Sequence, residues 1–269
     1  MDAHTAALNE VEERAEQLRA LLAQGLKVSN KNGQHAAVFV ALFATRTSRN
    51  LDAVITLCSG GFGIESQALL RVMSQDMVEV RYVATDPLVL PAKWCEHESR
   101  RRYYAYTKHV KSTGTPPPAD MDDLKALIAR DREDAKRVAA ERLGKEKPSA
   151  KEARRFLLRT RWTRLSIAQV ADEAEKVFEG TVAAHEWYEY LSEHAHGSAA
   201  SARDYLEEKD GAFFTNPHDA SFKSAPMAIA ALHYTHLILE ALVELGLDYD
   251  PSVLNDPLEA DLSILDNFL

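Results

Sequence analysis

The chain has 269 residues, of which 46% are hydrophobic and 27% are charged, and its 32 basic and 41 acidic side chains leave a formal net charge of −9. This composition is typical of a soluble globular protein of one large domain or two small ones. Two cysteines, Cys58 and Cys95, are too few for a disulfide framework or a cysteine-based metal cluster. The longest uninterrupted apolar run, residues 36–44, is far shorter than the roughly 20 residues of a membrane helix. With no signal-like N-terminus, we expect a cytoplasmic, bacterial-type protein that does not bind a membrane.

The net charge conceals a division along the chain. Between Lys93 and Arg164, 20 basic and 11 acidic residues give a local balance of +9, so the remaining residues carry −18. No Lys or Arg follows Lys223, and the last 46 residues contain eight acidic side chains. Because salt confines the field of each patch to roughly 10 Å, the basic segment 93–164 can bind a polyanion such as RNA despite the acidic total.

Helical periodicity dominates the sequence, whereas alternation with a period of two is scarce. The second periodic stretch begins with the apolar run 36–44, which predicts a place deep in the core. The pattern predicts an all-α multi-helix bundle, a single domain over residues 1–269, with a charged helical hairpin projecting at about 116–148 and an acidic C-terminal tail at about 247–269. The predicted helices cover residues 7–23, 34–58, 64–85, 91–111, 120–143, 166–178, 183–196 and 225–245, with a short basic segment at 151–164.

The third predicted helix carries a polar stripe between two apolar arcs. At 100° per residue, Arg71, Gln75 and Glu79 follow one another at intervals of four between these arcs. An unpaired buried arginine is costly, so Arg71 must find partners or stay out of the core. The stripe is interpreted either as a structural line that ties helices together or as a binding site. The same projection places four other polar residues on the outward side: Ser66, Gln67, Ser74 and Arg81.

The helix predicted at 183–196 repeats this arrangement. Tyr188, Ser192 and His196 follow the border of its apolar face at intervals of four. Gly197 permits the helix to end at His196, so that the imidazole can leave the helix surface. Two interpretations of His196 stay open, a C-cap histidine favoured by the helix dipole and a general acid–base group or ligand.

The last predicted helix places three potential metal ligands on one face. His233, His236 and Glu240 have a spacing that is compatible with metal ligation in a helix bundle. Satisfied core or interface histidines are the favoured interpretation, so we expect no metal and no cofactor and keep these three residues as the alternative ligand set. The Gly-Gly-Phe-Gly run at 60–63 lies between two predicted helices, which is typical of helix punctuation rather than of a nucleotide-binding loop.

The basic segment contains an arginine–histidine spacing of interest. Helical ribonucleases of the HEPN type carry an arginine followed, after four to six residues, by a histidine, and Arg102-Tyr-Tyr-Ala-Tyr-Thr-Lys-His109 fits that spacing. Chance alone supplies about two such matches in a chain of this composition. The neighbouring tyrosines and basic residues join positive charge to rings that can stack on bases. A solvated basic helix face is the alternative interpretation.

Two further stretches resemble a known family. Residues 68–75 (Ala-Leu-Leu-Arg-Val-Met-Ser-Gln), with the following Arg81-Tyr82, and residues 188–198 (Tyr-Glu-Tyr-Leu-Ser-Glu-His-Ala-His-Gly-Ser) resemble the bacterial domain-of-unknown-function family 5677. The resemblance spans roughly residues 39–206 and implies an all-helical fold without an established activity. It singles out Arg71, Tyr188, Ser192 and His196. Gln75 stands where the family usually has glutamate, so a carboxylate-dependent mechanism at that place would need Glu79 or Asp76.

Two main hypotheses for function follow. In the first, the chain is a HEPN-like RNA-acting protein of a defence or toxin type, a metal-independent ribonuclease if it is an enzyme. Arg71 would stabilise phosphate charge, His196 would act as acid or base on a ribose hydroxyl, and Tyr188 and Ser192 would position the substrate. In the second, the chain is a non-catalytic interaction or sensor module whose polar stripes are structural. A metal-binding bundle is a further alternative, and we expect a homo-oligomer.

Overall fold

The computed structural model describes residues 9, 11–17, 20, 27–114, 121–157, 162–163, 165–195, 206–209, 212–215 and 221–250, with side chains except in 189–195 and from 206 to 223. Helices dominate this part of the chain, which confirms the predicted all-α multi-helix bundle. Residues 11–17 are helical. The following elements are, in chain order, α1 (Gln34–Ser59), α2 (Gly63–Ala84), α3 (Leu90–Thr113), α4 (Met121–Leu143), α5 (Ala150–Ala153), a 3-10 turn (Arg154–Phe156), α6 (Ile167–Glu175), α7 (Thr181–Ala195), strands β1 (Leu206–Lys209) and β2 (Ala212–Thr215), and α8 (Ser221–Leu245).

The chain forms two compact units. Unit 1 consists of Met1–Pro87 together with Ile167–Leu269, and unit 2 is the inserted segment Leu88–Ser166. The hairpin predicted at about 116–148 falls inside unit 2, whose first helix, α3, begins well before it. The basic segment 93–164 coincides almost completely with unit 2, so the charge division of the sequence is also a division between compact units.

Helix α2 is the central helix of unit 1. It packs against α1, α6, α7 and α8, and most of its residues are buried. The prediction of its outward side was wrong, because a helix surrounded by four neighbours has no broad solvent face. Arg71 and Glu79 are instead half-buried and Gln75 is exposed. All four residues that the projection placed outward are buried: Ser66, Gln67, Ser74 and Arg81.

Helix α1 buries one side of its apolar run and leaves the other side uncovered. Phe39 and Phe43 are buried with their ring centroids 4.4 Å apart. Val38 and Leu42, on the opposite side of the same run, are 52% and 46% exposed. The expectation that the whole run 36–44 lies deep in the core was therefore wrong, because only one face of α1 packs against α2 and α8.

Helix α8 packs against both α2 and α1 and completes the core of unit 1. Among the described helices, the segment Ser224–Leu245 is long and apolar enough to cross a membrane by length and composition, with a mean hydropathy of 1.3. In the structure 78% of the most apolar 18-residue window of that segment is buried inside the protein, as in the core helix of a globular domain. The chain turns at Gly246 (φ +120°), and an isolated antiparallel bridge between Val28 and Leu247 ties the end of α8 to the segment before α1.

Unit 2 is built from α3, α4, α5 and the 3-10 turn, with α4 packed against each of the other three. Helix α3 begins with a proline in its first turn and ends at Gly114, which adopts the left-handed conformation that favours glycine at a helix C-terminus. Helix α5 begins with a capping box, in which Ser149 and Glu152 satisfy each other's backbone amides. These local signals mark where helices of unit 2 begin and end, and two of them, Gly114 and Ser149, lie in the polar, proline-containing stretches between the helices.

The described elements include a short β-hairpin, which the helical periodicity of the sequence did not predict. Strands β1 and β2 pair antiparallel, with Leu206 opposite Thr215 and Lys209 opposite Ala212. It adds two four-residue strands to a fold that is otherwise helical in its described elements.

Candidate functional site

The structure brings together two of the predicted site residues, Arg71 of α2 and Tyr188 of α7. An Arg71 guanidinium nitrogen donates to the Tyr188 hydroxyl at 3.2 Å, and the guanidinium carbon lies 5.3 Å from the Tyr188 ring centroid. The His185 ring stacks on Tyr188 at 5.4 Å with an interplanar angle of 27°. Arg71 is half-buried and not enclosed, so its guanidinium is held in place by Tyr188 and still reaches solvent.

The other residues of the predicted site have different outcomes. Gln75 is exposed on the outer side of α2, and the half-buried Glu79 lies one turn further along the same helix. Ser192 lies in the helical backbone of α7, and its side chain is outside the described part of the chain. His196 lies outside the described residues altogether. The pairing of Arg71 with His196 therefore stays a prediction, whereas the pairing of Arg71 with Tyr188 is observed.

The buried arginine of α2 is Arg81, which the sequence projection had placed outward. It is 1% exposed, and its guanidinium nitrogens donate to the carbonyl oxygens of Leu237 (3.3 Å) and Glu179 (3.0 Å) and to the Thr181 hydroxyl (3.0 Å). Its second terminal nitrogen forms an ion pair with Glu240 of α8 at 2.5 Å. Burial lowers the pKa of Arg81, and the Glu240 carboxylate opposes that change. Arg81 thus connects α2, the start of α7 and α8.

The alternative metal ligands belong to this same cluster. Glu240 is engaged by Arg81. Burial lowers the pKa of His233 to about 4, with the neighbouring His236 and Arg81 acting in the same direction, and burial likewise lowers the pKa of His236. Within the part of the chain that the structure describes, no group of three or more His, Cys, Asp or Glu residues is placed to hold a metal ion. Of the three residues, Glu240 forms an ion pair with Arg81, and His233 and His236 are half-buried on the same helix.

A second acidic residue of α2, Asp76, is buried against an arginine of α1. The Arg46 Nε lies 2.9 Å from an Asp76 carboxylate oxygen, and the Asp76 side chain is 4% exposed. Burial raises the pKa of Asp76 to about 7, since desolvation outweighs the attraction of Arg46 and Glu79 adds repulsion. Asp76 is thus a buried carboxyl whose pKa lies near neutrality.

Unit 2 contains a basic groove formed by α3, α4, α5 and the 3-10 turn, with a volume of about 920 Å³. Its described lining includes four basic residues and one acid, a net charge of +3. Glu133 pairs with Lys136 at 2.7 Å, whereas Arg132 and Arg154 are exposed and form no ion pair with a described residue. The lining consists of Tyr104, Ala129, Arg130, Arg132, Glu133, Lys136, Ala150, Ala153, Arg154 and Leu157.

A charge network that runs from the surface into the space between α3 and α4 fixes one wall of the basic groove. Arg130 lies at the groove and pairs with Glu96 at 3.0 Å, and Glu96 also accepts from Arg100 at 3.2 Å. Arg100, in turn, has its Nε 3.9 Å from the Asp131 carboxylate, which is buried between α3 and α4. The alternating charges hold α3 and α4 together, and they orient Arg130 at the surface.

The arginine and histidine of the predicted spacing, Arg102 and His109, do not belong to the described lining of the basic groove. Arg102 stacks on Tyr106, with its guanidinium carbon 5.2 Å from the ring centroid, and its Nε donates to the Tyr106 hydroxyl at 3.1 Å. His109 is exposed two turns further along α3. Unit 2 thus presents Arg102 and His109 on α3, separately from the groove.

A model of a family of unknown function, DUF5677, matches residues 37–213. The chain belongs to this family. No curated protein and no solved structure matches it. The DUF5677 match includes Arg71, Arg81 and Tyr188 and the whole of unit 2, whereas Glu240, the ion-pair partner of Arg81, lies beyond it. The description of the family assigns no activity to any of these residues.

Sequence reasoning missed two arginines of this DUF5677 chain that the structure makes prominent. Arg46 interrupts the apolar first half of α1, and this irregularity is the signal for its buried partner Asp76. Arg81 belongs to the arginine–tyrosine pair of the family motif, but the partners that bury it come from α7, α8 and the turn before α7. No local pattern around residue 81 could have identified those partners.

Proposed function

We propose that this protein binds RNA through the basic groove of unit 2. The observation that carries the proposal is the lining itself, in which Arg130, Arg132, Lys136 and Arg154 surround a concave space of about 920 Å³ with a single acid among them. Convex basic helices are common on soluble proteins, but a concave site that concentrates four cations points to an anionic ligand.

The free cations of the groove supply the electrostatic part of binding. Arg132 and Arg154 have no described acidic partner to release, so a phosphate group can pair with either guanidinium without breaking an ion pair. Each phosphate that is neutralised releases counterions, which makes affinity fall steeply with salt concentration. Salt confines the opposing field of the acidic residues to about one Debye length around each of them.

The aromatic part of the groove favours RNA over a merely acidic protein partner. Tyr104 lines the groove and packs edge-to-face on Tyr103 at 5.6 Å, so its ring is held in place by a neighbour. A fixed aromatic ring beside arginines is the combination on which an unstacked base and its phosphate can be held together. An acidic peptide would use the arginines and leave the tyrosine ring without a role.

The test is fluorescence anisotropy of a labelled 20-nucleotide RNA with the full-length protein at about 0.1 M salt. The variant Arg132→Glu/Arg154→Glu should weaken binding at least about tenfold. The slope of log affinity against log salt concentration should become shallower by about two, because two phosphate contacts are lost. The matched control is Lys108→Glu, an exposed charge reversal on α3 outside the described groove lining, which should change affinity far less. Equal losses in both proteins, or no loss in either, would contradict binding in the groove.

RNA cleavage is the second candidate function, and the Arg71–Tyr188 pair is the observation that favours it. A half-buried arginine held by a tyrosine hydroxyl and ring is oriented in advance to stabilise charge on a phosphate. In this proposal His196 removes the proton from a ribose 2′-hydroxyl, and the 2′-oxygen attacks the adjacent phosphorus. The bond to the 5′-oxygen breaks as that oxygen takes up a proton. Analogy with HEPN-like proteins of defence or toxin systems is what suggests this chemistry.

Cleavage is tested by following RNA degradation by wild type, Arg71→Ala and His196→Ala, with His35→Ala as a control for an exposed histidine on α1. We expect both site variants to lose at least about a hundredfold in rate while the control keeps full activity. Binding is measured on the same proteins. RNA binding without degradation by wild type would leave a non-catalytic RNA-binding module, the alternative to an enzyme.

A further inference from the structure

The basic groove of unit 2 has apolar side chains that are more buried than its cations. Ala153 is 6% exposed, and Tyr104 and Leu157 are half-buried. We define these three residues as the floor of the groove. The rim is defined as the basic residues of the described lining, all of which are exposed: Arg130, Arg132, Lys136 and Arg154.

Helical spacing keeps the space between the walls of the groove open. On α4, Ala129, Arg132 and Lys136 follow one another at intervals of three and four residues, so they share the face that lines the groove. On α5, Ala150 and Ala153 share a face in the same way. Alanine has the smallest side chain that a helix can present without the flexibility of glycine. The groove thus combines small apolar side chains with long basic ones.

This combination fits a ligand that is planar and largely apolar on one side and anionic on the other. In an RNA strand the base is the planar part, and the phosphate carries the charge. A base directed towards the floor can stack on the Tyr104 ring, which the contact with Tyr103 holds in place. The phosphates then meet the guanidinium groups of the rim. The opposite orientation would put phosphate charge against the apolar floor, where it has no partner.

Only an unpaired strand can present its bases in this way. In an RNA duplex the bases are stacked and paired, and proteins that recognise a duplex contact about 16 base pairs along its minor grooves. The groove, with about 920 Å³, has the size of a small-ligand site, for which the range is roughly 300–1,000 Å³, and it has room for about two bases. We propose that the groove binds single-stranded RNA, with about two unpaired bases on the floor and their phosphates at the rim. This inference rests on the proposed binding of RNA by unit 2.

The floor and the rim make contributions to binding that can be measured separately. Loss of a rim cation removes a phosphate contact, so affinity depends less steeply on salt concentration. Loss of the Tyr104 ring removes stacking, which releases no counterions, so affinity falls while the slope of log affinity against log salt concentration stays the same. A rim that acted without the floor would instead favour a duplex, because the duplex has the higher charge density.

The test measures the affinity of the full-length protein by fluorescence anisotropy for three ligands of about 12 nucleotides: an RNA strand without self-pairing, its duplex, and an abasic strand with the same phosphates. Wild type should bind the RNA strand at least about tenfold more tightly than either of the other two ligands. Tyr104→Leu should lose about tenfold in affinity for the RNA strand, with an unchanged salt slope, and nothing for the abasic strand. Tyr104→Phe keeps the ring and should keep most of the affinity.

The matched control is Tyr106→Leu, which removes another half-buried tyrosine of α3, outside the described groove lining, and should leave all three affinities unchanged. Circular dichroism checks that each variant keeps the helical content of wild type. The comparison of the three ligands uses wild type alone, so it can refute the proposal even if Tyr104→Leu fails to fold.

The outcomes separate this inference from the proposed function on which it rests. Equal affinity of wild type for the RNA strand and the duplex would overturn the insertion of unpaired bases and leave RNA binding by the groove in place. An equal loss of Tyr104→Leu on the RNA strand and on the abasic strand would have the same consequence. A wild type that binds none of the three ligands would overturn both proposals.

Discussion

Replacing Arg81 by methionine tests the largest difference between the sequence projection and the structure. Methionine keeps an unbranched side chain of similar length, so packing around the aliphatic part of Arg81 is largely retained. The substitution removes every hydrogen bond of the guanidinium, including those to the carbonyl oxygens of Leu237 and Glu179 and to the Thr181 hydroxyl. It also removes the ion pair with Glu240.

The cost follows from the groups that are left without a partner. Each buried acceptor that loses its donor costs about 1–3 kcal/mol, and the three guanidinium nitrogens of Arg81 donate to acceptors on α7, on α8 and in the turn before α7. Glu240 is 45% exposed and regains water, so it adds little. The loss of a positive charge from a buried site returns part of the cost. We expect the Arg81→Met protein to lose about 4 kcal/mol of its free energy of unfolding.

Urea denaturation at pH 7, followed by circular dichroism, measures this loss. The matched control is Arg71→Met on the same helix, where a half-buried arginine has one hydrogen bond and one ring contact, to Tyr188. That variant should lose only about 0.5–1 kcal/mol. If Arg81→Met is destabilised by less than about 1.5 kcal/mol, or by no more than Arg71→Met, then Arg81 does not hold the helices together as its contacts indicate.

Two further predictions concern backbone conformation and pH. Gly246→Ala should lose more than about 2 kcal/mol of its free energy of unfolding, because Gly246 has φ +120° and a Cβ there would lie 2.9 Å from the Ser29 carbonyl oxygen. Gly33→Ala, at φ +90° in open space, should lose only about 1 kcal/mol, and equal losses of the two variants in urea denaturation would exclude the close approach as the cause. The raised pKa of Asp76, about 7 against 3.8, means that its contribution to stability is fully present below pH 3.8 and is lost as the pH rises through about 7. Asp76→Asn should therefore become more stable relative to wild type between pH 4 and pH 8, by up to about 4 kcal/mol, and a difference that does not change with pH would contradict a buried, proton-binding carboxyl.

The helices of this protein could be predicted closely because local signals delimit them. The expected ranges 34–58 and 64–85 compare with Gln34–Ser59 and Gly63–Ala84 in the structure, and the glycines between them mark the turn. The hairpin could not be found by periodicity, because strands of four residues are too short to show it. The sequence does contain a hairpin signal there, since Asp-Gly stands at positions 210–211 between the two strands.

The exposed and buried faces of the helices were harder to predict than their ends. A helical projection assumes one core side and one solvent side, which holds for the charged helix α4 but not for α2, which is packed against four other helices. A helix with neighbours around it is buried on every side along part of its length. Its exposed residues are those that face a gap between two neighbouring helices. The exposed positions of α2, such as Gln75, could not be distinguished from Arg81 without knowing which helices surround it.

The burial of Arg81 and the partial exposure of Arg71 decide which of these two arginines of α2 can serve a function. Arg81 uses all three of its side-chain nitrogens on groups of the fold, and one of those groups, Glu240, stands 159 residues away in the sequence. A guanidinium that is buried and fully engaged cannot contact a substrate, so Arg81 holds the helices of unit 1 together. Arg71 has a half-buried guanidinium with one described hydrogen-bond partner, and it is therefore the arginine of α2 that is able to meet a ligand.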